Sequence, residues 1–299
     1  MPLSAAHRTF FKCLLTPHLI MRARGAITSD NLSPLRTSST LHFLRITKRN
    51  ISFKNHSVRL REKIYSHHYS YIEKAFDKGC IDLCCKEGAI LWRSETIPDL
   101  VIILKQGNQD FRDGEMELQL KQGGLILYYM GFTLAPKNSF CKKNEDGLMI
   151  TRVQGSSEYL GVFKDIKESL YDVAANHLLF AAMRGLAAYL GVNNIFGVGT
   201  KMQSYYVPER FERFDSCYSQ FWESLMASKI AENFYQIPVP YVDKDIQLIA
   251  QHHRSRTRKK REFKKSVAEC VFNGVKQLNP YSSNRLSNSW FIPKHQNNQ

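Results

Sequence analysis

Side chains able to carry acid–base chemistry gather in two short segments of this chain. His68-Tyr69 falls in a stretch, Leu60 to Gly79, whose apolar residues Leu60, Ile64, His68, Tyr71 and Ala75 recur at helical spacing. An imidazole beside a phenol can move a proton near neutral pH, and equally a histidine among apolar helix neighbours can serve as a hydrogen-bonded core residue. Glu158 follows Gln154-Gly155-Ser156-Ser157. Its carboxylate is a candidate base, and the glycine and serines before it either turn backbone N–H groups toward an anion or simply turn the chain. Tyr69, Tyr206, Tyr218 and Trp222 join a flat apolar body to a polar tip, which suits positioning a substrate and suits a core next to a sheet equally well. His177, inside a strongly apolar helical stretch, reads as a structural residue.

A third segment is electrostatic. His252 to Lys265 holds eight Lys/Arg in fourteen residues, and Arg254, Arg256, Arg258, Lys259, Lys260 and Arg261 are its candidate anion-binding groups. On a helix these project on all sides, which favours contact with phosphate without sequence readout, or a solvated face. The whole chain carries +15, divided as about +10 over residues 1–63, −4 over 64–250 and +9 over 251–299. Two basic ends on a mildly acidic body suit an anionic membrane surface or lipid phosphate, with nucleic acid a weaker candidate.

Several chemistries are excluded. There is no Walker loop, Rossmann fingerprint, zinc-ligand set or Ser-His-Asp order. The seven cysteines are odd in number, and Cys80, Cys84 and Cys85, downstream of His67 and His68, lack paired C-x₂-C spacing, so no metal site is expected. Scattered free thiols suit a reducing compartment. No run of ~18 apolar residues is present. The opening segment is a poor secretory signal, because Lys12 and Pro17 interrupt its apolar patch, although residues 1–50 are Arg/Ser-rich and acid-poor as a presequence would be. Cytoplasmic, with peripheral association at the inner membrane, is the expected location.

The elements that must position these groups follow from periodicity. Glu115 to Lys121 alternates strictly and predicts a half-buried strand. Gln122-Gly123-Gly124 supplies a tight turn, Leu125 to Leu134 a central strand apolar on both faces, and Leu148 to Val153 a third. A buried helix is expected from about Phe163 to Leu190, capped by Gly191, then a strand at Asn194–Thr200. A helix near Asp215–Ser228, a strand at Phe234–Ile237 and a long basic helix from Asp243 complete the pattern. The order β-β-β-α-β-α-β implies an α+β fold with a mixed sheet. Residues 1–58 read as a basic, partly disordered segment, 59–250 as the body, 251–278 as a basic helix and 279–299 as a disordered tail.

The chain resembles the bacterial VirK/YbjX-like family. The likeness rests on His68-Tyr69, Asp113-Gly114-Glu115, Val153-Gln154-Gly155, Leu190-Gly191-Val192, Phe221-Trp222-Glu223, Tyr235-Gln236-Ile237-Pro238 and the run from Arg254 to Phe263, spanning roughly 55–270. It implies a virulence-associated role in cell-envelope properties and resistance to antimicrobial peptides. Departures fall at Ser169-Leu170 and Ala175-Asn176-His177, and at Gly199 and Gln203 where the family carries Ser and His. The element order also resembles the core of GNAT-type acyltransferases. That likeness implies coenzyme A or acyl-coenzyme A held at Gln154, Gly155, Ser156 and Ser157, with His68 and Glu158 as catalytic candidates, although the usual glycine spacing of the pyrophosphate loop is absent.

Overall fold

Alternating and continuous apolar segments build eight strands into one sheet. The computed structural model describes residues 17–38, 57–107, 114–136, 138–139 and 146–280. Two short helices, α1 (Pro17–Gly25) and α2 (Ser33–Ser38), precede α3 (Val58–Ala75) and α4 (Lys78–Cys85). Five strands follow: β1 (Ala89–Arg93), β2 (Leu100–Gln106), β3 (Met116–Gln122), β4 (Leu125–Ala135) and β5 (Gly147–Gly155). Then come α5 (Leu160–Ser169), α6 (Ala175–Leu190), β6 (Asn194–Val198), α7 (Phe211–Cys217) and α8 (Ser219–Ser224). A hairpin of β7 (Ser228–Ala231) and β8 (Phe234–Pro238) and the long helix α9 (Gln251–Leu278) end the described chain. Strand order is β1-β2-β3-β4-β5-β6-β8-β7. Every neighbouring pair is antiparallel except β5–β6, which is parallel.

The fold is α+β with a mixed sheet, as the pattern predicts, and the meander lies where expected. Five features differ. The meander is extended by β1 and β2, whose short apolar runs carry little periodicity of their own. The expected helix over 163–190 is two helices, because Tyr171 and Asp172 both take positive φ (53° and 61°) and break it. The segment 215–228 is likewise two short helices and the start of β7. The expected first helix also stops short of Gly79: α3 ends at Ala75, and Asp77 caps α4 by accepting from the Cys80 amide. The expected tail begins in order, since Asn279 is buried and binds both the Asp77 amide and the Val275 carbonyl; residues 281–299, like 1–16 and 39–56, lie outside the described residues.

Helix α6 is the apolar rod of the crossover, with all but three of its residues buried. Fully buried leucines such as Leu178, Leu179 and Leu186 contribute on the order of 1.5–3 kcal/mol each. Gly191 ends it in the left-handed region (φ 68°), three residues before β6 begins. The C-terminus of α6 therefore lies at the start of β6, and its sixteen residues, about 24 Å long, carry its N-terminus back to the end of the sheet where β5 and β6 finish.

Helix α9 is seated beside α6. Its Val267, Ala268, Val271, Phe272 and Val275 are buried, and a Cβ on Gly185 would stand 2.1 Å from the Ala268 carbonyl oxygen, so only glycine permits this approach. His177 feels Lys260 and Lys264, Gly185 meets Ala268, and the Tyr189 ring lies 6.2 Å from Phe272. The numbering rises together along both helices, so they run parallel. The basic first turns of α9 thus share one end of the molecule with the N-terminus of α6.

Candidate functional site

Where β5 and β6 end, the sheet opens. The parallel ladder joins Leu148–Ile150 to Ile195–Gly197 only, yet β5 continues to Gly155. A cleft of about 700 Å³ fills the divergence, lined by Val153, Gln154 and Gly155 of β5, by Gln203, Tyr205 and Val207 after β6, and by Glu209, Arg210, Phe214, Cys217 and Tyr218. That volume is within the range of small-molecule sites, about 300–1,000 Å³. The Val153 amide points into the divergence and donates to Tyr218 Oη at 3.5 Å. Tyr218 stacks on Phe214 with centroids 6.0 Å apart.

The splay is held open by polar contacts. The Val198 carbonyl, at the last residue of β6, accepts from Gln203 Nε2 (2.8 Å) and from the Trp222 indole (3.0 Å). The Trp222 ring covers Gly197, where an added Cβ would meet it at 2.4 Å. Thr200 Oγ1 donates to Asp215 Oδ1 (3.0 Å), and the Thr200 amide donates to Ser219 Oγ (3.2 Å), tying α7 and α8 to the end of β6. Gly199 and Gln203, where the sequence departs from its resembled family, thus hold this corner: the Gly199 amide bonds the Asn233 carbonyl at 2.7 Å.

The loop after β5 sits at the rim of the cleft. Gly155 faces the Tyr128 ring, with Phe163 next to it, and a Cβ there would lie 2.6 Å from Tyr128. The Ser156 amide binds the Leu127 carbonyl, and Ser156 Oγ accepts from the Glu158 amide, opening a single 3₁₀ turn, Ser157–Tyr159, that leads into α5. Glu158 is exposed on that turn.

His68 and Glu158 are not brought together. His68 is fully buried, and its Nδ1 accepts from the Leu134 amide at 3.1 Å, which puts its proton on Nε2 in the neutral ring. Tyr69 is also sealed, its Oη donating to Glu115 Oε2 at 2.6 Å. Trp222 is fully buried, so of the four aromatic candidates only Tyr218 lines the cleft; Tyr206 packs edge-on against Phe214 beside it. The sequence-based expectation that His68, Tyr69 and Trp222 meet a substrate is corrected, because each is closed off by packing and a specific hydrogen bond. His177, edge-on to Phe221, has its pKa lowered to about 4, by burial first and by Lys264 and Lys260 next. His67, 3.8 Å from Asp146, is lowered too, because burial outweighs that carboxylate.

Sequence reasoning misses a buried polar row on the face of the sheet that bears Tyr69's partner. Glu117, Gly131 and Arg152 stand abreast on β3, β4 and β5, and the central residue has no side chain to separate Glu117 from Arg152, which approach to 4.0 Å. Arg152 also donates to Gln154 (3.1 Å) and lies 4.3 Å from the Tyr129 ring, while Gln119 donates to Glu117. The alternation Glu-x-Glu-x-Gln signals the strand correctly, but its polar face is buried, and nothing in the spacing distinguishes a buried polar face from a wet one.

The basic run is partly neutralised. Asp172, in the break between α5 and α6, pairs with Lys260, with Arg256 at 2.5 Å and with Lys167 at 3.3 Å. The Lys260 hydrogen bond, helped by Lys167 and Arg256, holds its carboxyl down at about 2. Asp243 pairs with Arg261 (3.4 Å), and Arg254 donates to the Gln247 and Ile249 carbonyls. Of the six candidate anion-binding groups, Arg256, Arg258 and Lys259 stand on exposed positions, Arg256 in its pair with Asp172. Among the described residues no group of three or more His, Cys, Asp or Glu could hold a metal ion, and no helix is long and apolar enough to cross a membrane. Cys80 and Cys84, one turn apart in α4, are buried and hydrogen-bond each other.

A family model described as "Protein of unknown function (DUF535)" matches residues 4–271. No curated protein and no solved structure matches the chain.

Proposed function

The chain belongs to the DUF535 family of proteins of unknown function, and on that premise we propose that it is an acyltransferase-like enzyme, GNAT-like in its core and VirK/YbjX-like in its role at the cell envelope. The observation that carries this reading is the divergence of β5 from β6, where the outer edge of β5 faces a cleft of about 700 Å³. A parallel pair that splays at its C-terminal ends, with a crossover helix starting from the same end, is where open sheets of this kind take ligands. The third-from-last position of β6 and the inserted position of β8 between β6 and β7 support the GNAT likeness.

An acyl-coenzyme A thioester is the substrate this geometry suits. An amide of its extended arm would pair with the Val153 N–H in place of Tyr218 Oη, as an added strand would. The amides of Ser156, Glu158 and Tyr159 are already bonded, so phosphate would lie at the first turn of α5 beyond them, where the exposed Glu158 carboxylate opposes it. In the transfer, an acceptor's amine or hydroxyl attacks the thioester carbonyl carbon, the C–S bond breaks, and the acceptor's proton leaves to a base. Tyr218, whose phenol stands at the splay, is the group from which the departing thiolate takes its proton. The acceptor in this reading is an envelope precursor, and the outward cations Arg258 and Lys259 suit docking at an anionic inner-membrane surface.

Calorimetry against coenzyme A and acetyl-coenzyme A tests the reading. Saturable binding is expected, weakened at least tenfold in Val207→Trp, whose indole would fill the cleft from an exposed position. An absence of heat up to high micromolar ligand would sink it.

A further inference from the structure

Among the described residues, five of the twelve large apolar side chains that the fold leaves exposed share one place. Leu125, Leu160, Tyr205, Val207 and Phe211 are each 40–68% exposed, and topology gathers them at one end of the sheet. Leu125 lies at the tip of the β3–β4 hairpin, which is tied to the loop after β5 by the bond from the Ser156 amide to the Leu127 carbonyl. Leu160 is the first residue of α5, directly after that loop. Tyr205, Val207 and Phe211 follow β6, which ends at the same side as β5 because the two are parallel. Single exposed apolar residues need no account, but a set rimming one opening does.

The interior of the cleft continues this character. Val153, Gly155, Phe214, Cys217 and Tyr218 give it an apolar and aromatic wall, with Gln154, Gln203, Glu209 and Arg210 as its polar points. An acetyl group would leave most of about 700 Å³ to water. The parallel packing of α9 on α6 brings Arg256, Arg258 and Lys259 to the end where α6 begins. A second hollow there is lined by Arg256, Lys259, Tyr171, Glu168 and Asp172; Arg256 is paired with Asp172, so Arg258 and Lys259 are the cations that would meet an anion.

Resting on the acyl-donor reading above, we infer that the donor is a long-chain acyl thioester, whose chain lies in the cleft and against the apolar rim while its anionic part faces the basic turns. Burying methylenes is worth up to ~0.8 kcal/mol each, so affinity climbs with chain length until the wall is covered.

The experiment compares coenzyme A, acetyl-, octanoyl- and dodecanoyl-coenzyme A, and sodium dodecanoate, all below their micelle-forming concentrations, by calorimetry on the full chain. Dodecanoyl-coenzyme A is expected to bind at least tenfold tighter than acetyl-coenzyme A, and Leu160→Asp and Val207→Asp to cut that ratio at least threefold. Both positions are exposed, so the variants are expected to fold, which their thermal unfolding checks. Equal affinity for acetyl and dodecanoyl thioesters overturns the inference and leaves the acyl-donor reading standing. A ratio that neither variant moves also overturns it, because the chain then lies elsewhere. Binding of dodecanoate, weakened by Leu160→Asp, with no binding of coenzyme A or acetyl-coenzyme A, keeps the chain seat and removes the thioester. If nothing binds, both fall.

Discussion

Asp172→Asn removes one negative charge from the break between α5 and α6 and changes little else. Asparagine tolerates the left-handed backbone found there (φ 61°) and has nearly the same shape, so the variant isolates electrostatics. In the native protein Lys260, Lys167 and Arg256 lower the Asp172 pKa from 3.8 to about 2. At ~1.36 kcal/mol per unit, that drop corresponds to roughly 2–3 kcal/mol before screening. The side chain is 24% exposed, so water and salt screen the cluster, and about 1–1.5 kcal/mol is the expected loss at low ionic strength. The sign follows from linkage. A carboxyl whose pKa is depressed on folding contributes fully above its unfolded value near 3.8, and loses that contribution as pH falls toward about 2. Urea unfolding of both proteins in 20 mM salt should therefore show a constant gap from pH 5 to 7, narrowing below pH 4. In 0.5 M NaCl the gap should shrink by half or more. Equal stabilities at low salt, or a gap that persists unchanged at pH 2, would refute the clasp.

Other outcomes follow from the same geometry. His177, held neutral to about pH 4 by burial, should show no imidazole titration by NMR between pH 5 and 8; because its folded pKa lies below the unfolded 6.5, stability should fall as pH drops from about 6.5 to 4, and His177→Phe should flatten that slope. Tyr69→Phe strips a hydrogen bond from the buried Glu115 carboxylate and should cost about 1–3 kcal/mol in denaturant unfolding. Glu158→Gln removes a negative charge next to the proposed phosphate position, so coenzyme A affinity should rise about two- to fivefold by calorimetry, whereas a loss would make the carboxylate a ligand partner. Arg258→Glu with Lys259→Glu should abolish flotation with anionic vesicles while leaving the melting temperature unmoved.

Much of the fold was legible because its central signals are local. The alternation from Glu115 to Lys121, the paired glycines after it and the all-round apolar helix capped by Gly191 each specify an element from neighbouring residues. The parallel crossover follows from their order. What escaped reading depends on distant partners. The break at Asp172 is joined to Arg256 and Lys260, more than eighty residues later, and β1 and β2 are strands through their pairing with β3. Of the residues singled out from the sequence, Gln154, Gly155 and Tyr218 line the candidate cleft, while His68, Tyr69 and Trp222 are absorbed by packing. The buried charge row was invisible, since a Glu-x-Glu pattern looks the same whether water or Arg152 lies opposite.

The glycine contact between α6 and α9 has a mechanical consequence. With Gly185 set under the Ala268 carbonyl, the second half of α9 has one rotational setting against α6, and the forward turns inherit it like the teeth of a comb. One residue inserted ahead of Val267 would spin that comb by about 100° while leaving its anchor untouched. The chain thus carries a built-in protractor, in which the length of the helix before its anchor fixes the compass bearing of every outward cation.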